Sequence, residues 1–109
     1  MIPRSHRLPS KTKLVSPVFL QTLFFSVRFG QNTLAHDRYA FVVSKKVDKS
    51  AVVRNRLRRV LREIVVKEMD QRKQGHDMVV VVKKNFLEVP REELTKTVEA
   101  CLSNVAMKQ

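Results

Sequence analysis

Arginines recur at helical spacing in residues 45–62, which carry eight of the 22 Lys and Arg residues against a single acid. At 3.6 residues per turn, Arg54, Arg58 and Arg62 lie one above another on a helix, with Asn55 beside them. The planar guanidinium group pairs with phosphate through two parallel hydrogen bonds. The row therefore predicts a surface that binds a polyanion. Asn55 adds a neutral donor and acceptor for a sugar hydroxyl, a base edge or a hydrated metal ion.

The arc next to these arginines is apolar and predicts the side of the helix that packs on a core. It consists of Val53, Leu57, Val60, Leu61 and Ile64. We place this amphipathic helix at about 51–71, with Asp48 or Ser50 as its N-cap. The alternative is a solvated helix whose charges only keep the protein soluble, but mixed signs would serve solubility better.

Length and charge limit the class of protein. A chain of 109 residues suits a single domain, 1–109, and its formal net charge of +12 favours a nucleic-acid partner. Three prolines, four Lys or Arg residues and His6 in 1–17 predict an extended arm before a folded core at 18–106. The N-terminus lacks the apolar run of a signal peptide and no stretch is long enough to span a membrane, so we expect a cytoplasmic protein. Cys101 is in register with apolar residues and is interpreted as a core residue.

The remaining elements predict a mixed α+β fold. The run Val18–Phe29 is interpreted as a strand with Leu23, Phe25, Val27 and Phe29 facing the core and Phe24, Ser26 and Arg28 on the open face. Arg38–Ser44 is interpreted as a second strand and as its antiparallel hairpin partner, with Tyr39 packed inside. Met78–Val82 is an apolar strand buried on both faces, and Pro90 opens a last helix. The second strand, the basic helix and the third strand form a βαβ unit if the strands are parallel.

One continuous segment, 38–64, carries a specific pattern. It reads RYAFVVSKKVDKSAVVRNRLRRVLREI, a strand ending in Ser-Lys-Lys-Val followed by Val-x-Arg-Asn-Arg-x-(Lys/Arg)-Arg-x-x-Arg-Glu on a helix. This pattern resembles the signature of the protein subunit of bacterial ribonuclease P. The resemblance implies a small α/β sandwich similar to a ribosomal-protein S5 domain, with a mixed sheet and a left-handed βαβ crossover through the basic helix.

The resemblance also implies the function. In this family the protein binds a large catalytic RNA and the 5′ leader of precursor tRNA, and the complex removes the leader by metal-dependent hydrolysis. The RNA carries the chemistry with Mg²⁺ that it mainly holds itself, so no catalytic residue and no metal-binding motif is expected in the protein. The residues expected to contact the catalytic RNA are Lys45, Lys46, Arg54, Asn55, Arg56, Arg58, Arg59 and Arg62.

The resemblance implies that the leader lies against the open face of the sheet. The candidates for binding it are the residues at the corresponding positions of the first strand, Phe24, Ser26 and Arg28. Aromatic stacking beside cations grips unpaired RNA of varied sequence, which suits a leader that differs between precursors. Phe24 could instead be a core residue. Relatives carry a first helix whose two phenylalanines help to wall the leader cleft. Here Leu14 and Val18 stand at those positions and Pro17 interrupts the segment, so we expect that helix to be reduced to a turn or replaced by a strand.

Three other functions are less consistent with these residues: catalysis by the protein alone, a ribosomal protein and a DNA-binding protein. Catalysis by this chain alone is disfavoured, because its ten acids are dispersed and His6, His36 and His76 fall in an arm or in turns without metal-ligand spacing. Glu63 is expected to pair with Arg59 or Lys67. A ribosomal protein would share the basic helix without a leader cleft. The basic helix could also bind the major groove of DNA, but the chain lacks the preceding helix of a helix-turn-helix motif, so no DNA partner is expected.

Overall fold

The computed structural model describes Arg7, residues 18–34, 36–71 and 75–107, with the backbone only for residues 104–107. These residues form a four-stranded mixed sheet and two helices, which confirms the α+β class. The elements in chain order are β1 Val18–Gln21, β2 Phe25–Gln31, β3 Arg38–Val42, α1 Ala51–Met69, β4 His76–Val82 and α2 Arg91–Met107.

A tight turn at Thr22 divides the run that the sequence predicted as one strand, so that prediction was wrong. The Thr22 hydroxyl accepts from the backbone N–H of Phe25 at 3.0 Å and donates to the Phe25 carbonyl at 2.9 Å. β1 and β2 therefore form an antiparallel hairpin. Leu23 lies at its tip and is 63% exposed instead of facing the core, whereas Phe25 is fully buried as predicted.

The sheet has the order β1-β2-β4-β3, so β4 separates the two strands that we expected to pair. β2 pairs with β4 antiparallel, and β3 pairs with β4 parallel, which confirms the βαβ unit through α1. The most apolar strand takes a central position because it buries the most surface there. Its two faces differ, however, since Val80 is fully buried and Val81 is 38% exposed. The left hand of the crossover stays a prediction.

One face of the sheet packs against both helices and forms the core. β2 and β4 contribute Phe25, Val27, Phe29, Met78, Val80 and Val82; α1 contributes Leu57, Leu61, Ile64 and Val65; α2 contributes Leu94, Val98, Cys101 and Leu102. Burial raises the pKa of the Cys101 thiol, as expected for a core cysteine. The other side of the sheet, termed the open face, carries exposed Phe19, Arg28 and Val42. The register pairs Phe19 with Arg28 and Val42 with Val81 on that side.

Capping residues set the ends of α1 close to the predicted ones. The Ser50 hydroxyl accepts from the backbone N–H of Val53, which identifies Ser50 as the N-cap. The predicted arm, 1–17, lies outside the described residues apart from Arg7, whose backbone bridges Tyr39 on β3. Val18, at the second of the two positions considered for the first helix, begins strand β1. Among the described helices, none is long and apolar enough to cross a membrane.

Candidate RNA interface

Five polar side chains follow one another around the outer side of α1, and we call this surface the arginine face. It consists of Arg54, Asn55, Arg58, Arg59 and Arg62. Asn55 and Arg59 are exposed, whereas Arg54, Arg58 and Arg62 are half-buried at the border with the core side. The Arg58 guanidinium donates to the side-chain oxygen of Asn55, which holds the two residues together. The structure thus brings five predicted residues onto one continuous helical surface.

Arg56, the sixth predicted residue on α1, lies at the edge of the arginine face. At 100° per residue it lies about 60° around the axis from Arg59 and about 20° from Glu63. Its side chain is exposed. Glu63 itself forms an ion pair with Arg91 of α2 at 3.0 Å, so the predicted pairing with Arg59 or Lys67 was wrong. The periodicity of α1 could not reveal a partner on a second helix. Arg56 therefore borders the arginine face on the side of Arg59 and Glu63.

Two lysine-bearing loops meet at the end of the sheet from which α1 begins. Because β3 and β4 run parallel, with Val42 opposite Val81, both strands end at this edge. The loop after β3 carries three exposed lysines and the segment after β4 carries two. We call them together the lysine edge: Lys45, Lys46, Lys49, Lys83 and Lys84.

Two members of the lysine edge, Lys83 and Lys84, were not among the residues predicted from the sequence. Their backbone N–H groups both donate to the Phe24 carbonyl, at 2.8 and 3.3 Å, which fixes the segment against the β1–β2 hairpin. The signal in the sequence was a pair of lysines directly after the apolar run of β4. Only the parallel pairing of β3 with β4 shows that they adjoin Lys45 and Lys46. The cationic surface therefore extends beyond the helix.

The open face presents one aromatic ring next to a cation. The Arg28 guanidinium lies 5.9 Å from the centre of the Phe19 ring. Phe19 is 49% exposed, so much of the ring is accessible. Phe19 was not predicted from the sequence, because in a single strand through Thr22 it would not lie opposite Arg28. The register of the β1–β2 hairpin places the two residues opposite each other.

The other leader candidates are placed less openly. Phe24 lies in the β1–β2 turn, is half-buried and packs against the core, as its alternative interpretation held. Ser26 is on the open face, opposite Gln21 and Val81, but is buried between its neighbours. Of the three candidates, Arg28 alone is exposed.

At the opposite end of the sheet, acids are bound to neighbouring groups. The Asp77 carboxylate accepts hydrogen bonds from Nε and Nη2 of Arg38, at 2.9 and 2.7 Å, and from the side-chain amide of Asn32 at 2.8 Å. Burial alone would raise the pKa of Asp77. The hydrogen bonds from Arg38 and Asn32 and the nearby charges of Arg38 and His36 outweigh burial and hold this pKa below its usual value.

A second buried acid joins the same end of the sheet. Asp37 accepts from the backbone N–H groups of Gly75 and His76 at 2.8 and 2.7 Å. The ring of His76 lies 3.4 Å from that carboxylate, on β4 and not in a turn as predicted. Burial and the charge of Asp37 raise the pKa of the Tyr39 hydroxyl. These acids link strands and lie away from the lysine edge.

The described residues contain no group of three His, Cys, Asp or Glu side chains that could hold a metal ion. The oxygen of Asn55 accepts from Arg58 within the protein. The expectation that RNA mainly holds the Mg²⁺ stays a prediction.

Sequence comparison places the chain in a family. The family model for ribonuclease P matches residues 14–106. The chain belongs to the ribonuclease P protein family. The ribonuclease P protein component of Fusobacterium nucleatum is 35% identical over 77 residues, covering 71% of this chain and 68% of that protein. That of Bacillus mycoides is 35% identical over 86 residues, covering 79% and 74%.

Solved structures of the family have the same fold. The ribonuclease P protein from Thermotoga maritima superposes with a TM-score of 0.61 at 31% identity, covering 83% of this chain and 81% of that one. The Staphylococcus aureus protein superposes with a TM-score of 0.68 over 82% and 81%, but its 23% identity supports the fold alone. The chain is therefore an accessory protein subunit of an endoribonuclease that acts in tRNA 5′ processing. Its partner is RNA in a ribonucleoprotein, and membership of the ribonuclease P family argues against the ribosomal alternative.

Proposed function

We propose that the arginine face and the lysine edge bind the catalytic RNA of ribonuclease P, and that the open face binds the 5′ leader of precursor tRNA. The observation that carries this proposal is the arrangement of cations from three segments, two loops and α1, around one end of the sheet. Phosphates spaced along a folded RNA match several rigidly held cations better than a flexible cationic tail.

The open face suits an unpaired strand. A half-exposed ring at Phe19 beside the Arg28 cation offers stacking and charge, which together bind single-stranded RNA with little sequence preference. We include Phe19 with Arg28 and Ser26 in the leader site and treat Phe24 as a support of the β1–β2 turn. DNA is not a partner in this proposal, and the site of action is the cytoplasm, where tRNA precursors are processed.

Chemistry remains with the RNA in this proposal. Mg²⁺ is held mainly by RNA phosphates, and the protein contributes positive charge and a path for the leader. Lys45, Lys46, Arg54, Asn55, Arg58, Arg59 and Arg62 face the catalytic RNA, joined by Lys49, Lys83 and Lys84. Arg56 lies at the edge of this surface, next to Arg59.

An add-back assay tests the proposal. Adding the chain to its catalytic RNA at low Mg²⁺ should increase cleavage of precursor tRNA, and the double variant Arg58→Ala/Arg62→Ala should need more protein for the same rate. Lys96→Ala is the matched control, since Lys96 is an exposed cation on α2 that faces Glu92 at 3.7 Å. No increase in cleavage over a wide range of protein and Mg²⁺ concentrations would contradict the proposal.

A further inference from the structure

The loop between β3 and α1 is bound to the first turn of α1 by one arginine. Nη1 of Arg54 donates to the backbone carbonyl of Asp48 at 3.0 Å and to that of Lys49 at 2.9 Å. The Ser50 N–H donates to the Asp48 carboxylate at 2.9 Å. The backbone that carries three lysines of the lysine edge is therefore held from the helix side.

The same aspartate also contacts the other lysine-bearing segment. The second oxygen of the Asp48 carboxylate accepts from the Asn85 amide at 3.4 Å, and Asn85 directly follows Lys83 and Lys84. The Asn85 side-chain oxygen accepts from the N–H of Leu87 at 2.9 Å, which orients the amide. Asp48 thus connects the two loops of the lysine edge.

We propose that Arg54 and Asp48 form a clasp that fixes the relative positions of the two loops, so that their five lysines meet RNA phosphates as one surface. Arg54 then acts on binding through the loop as well as through its place on the arginine face. The charge of the Asp48 carboxylate repels a polyanion, so any favourable effect of Asp48 on RNA binding must come from the hydrogen bonds that hold the loops. Fixing the loops beforehand lowers the conformational cost of binding. This inference rests on the proposed function.

Hydrogen exchange in the free protein tests the clasp without RNA. The reporters are the N–H groups of Val47, which donates to the Ser44 carbonyl at 3.1 Å, and of Ser50. Arg54→Ala should speed exchange at both by about fivefold or more, since two hydrogen bonds that hold the loop are lost. Arg58→Ala, one turn away on the same helix, is the matched control and should leave both rates unchanged. Unchanged exchange in Arg54→Ala would overturn the clasp.

The sign of one charge change gives a second test. Asp48→Ala raises the net charge from +12 to +13. Charge alone predicts tighter binding of the catalytic RNA, whereas the clasp predicts weaker binding, by roughly three- to tenfold, the loss of about one net hydrogen bond. Glu92→Ala makes the same charge change on α2, where the carboxylate is exposed, and should bind at least as well as the original chain.

The two proposals fail differently. Binding that tightens equally in Asp48→Ala and Glu92→Ala would refute the clasp while leaving the RNA interface intact. Failure of the unaltered chain to bind its catalytic RNA would refute the proposed function, and the exchange rates of Val47 and Ser50 would still decide whether Arg54 holds the loop.

Discussion

Replacing Phe19 by alanine removes the exposed aromatic ring of the open face with little expected damage to the fold. Deleting a fully buried phenylalanine costs about 3–5 kcal/mol, and Phe19 is 49% exposed, so about 1–2 kcal/mol is expected. That is small beside the roughly 5–15 kcal/mol stability of a typical domain. The variant should therefore remain folded at 25 °C, which thermal unfolding would check.

The expected effect on leader binding is larger and specific. Stacking of one base on an aromatic side chain contributes about 1–3 kcal/mol, so Phe19→Ala should weaken binding of leader-bearing precursor by about 5- to 150-fold. Mature tRNA lacks the leader and should bind the reconstituted complex as before. Phe19→Leu keeps an apolar side chain but no flat ring, and should resemble the alanine variant.

The assay compares dissociation constants of the reconstituted complex for precursor and mature tRNA at one salt and one Mg²⁺ concentration. Leu23→Ala is the matched control, because it removes an exposed apolar side chain from the same hairpin away from Arg28. Phe24→Ala should destabilise the β1–β2 turn and weaken both RNAs alike. Equal losses for precursor and mature tRNA in Phe19→Ala would refute the stacking role.

Three further outcomes are expected. Arg58→Ala and Arg62→Ala should each reduce the slope of log affinity against log salt by about 0.7–0.9, and an unchanged slope in binding titrations would exclude a phosphate contact. Asp77→Asn should lower the free energy of unfolding by about 2–3 kcal/mol at pH 7, because it leaves the half-buried Arg38 without its counter-charge. The folded pKa of Asp77 is depressed, so the stability that its carboxylate contributes is present above about pH 4 and is lost as pH falls through the folded pKa. In urea unfolding at decreasing pH, the free energy of unfolding should therefore fall less steeply in the variant than in the original chain. Leu61→Ala should cost about 3–5 kcal/mol and lower the melting temperature, because Leu61 is fully buried beneath the arginine face.

Local patterns in the sequence predicted the parts of the fold that depend on neighbours along the chain. The period of Leu57, Leu61 and Ile64 gave α1 to within two residues at its end, and Pro90 gave the start of α2. Both signals act within a few residues, because a cap or a first-turn proline satisfies groups of its own helix. The arginine face also depends only on the helical period within α1, so its residues lie on one helix as predicted.

Long-range pairing explains what the sequence did not show. Thr22 forms a turn without glycine or proline, so alternation of apolar residues continued through it and placed Leu23 in the core. The position of β4 between β2 and β3 depends on strand registers, which no local pattern encodes. Phe19 and Lys83 were missed for this reason, since each becomes part of a surface only through a strand pairing.

The described acids are distributed so that stability and binding depend on different residues. Asp37 and Asp77 are buried and link strands at the far end of the sheet, and Glu63 joins α1 to α2. Each of these three carboxylates is therefore engaged in the fold and lies off the proposed RNA surface. Asp48 is the exception, because it stands among the lysines and accepts from two loops at once. A carboxylate in that place opposes RNA binding through its charge, whereas the clasp that it forms favours binding by fixing the two loops, so the effect of replacing Asp48 decides between the two contributions.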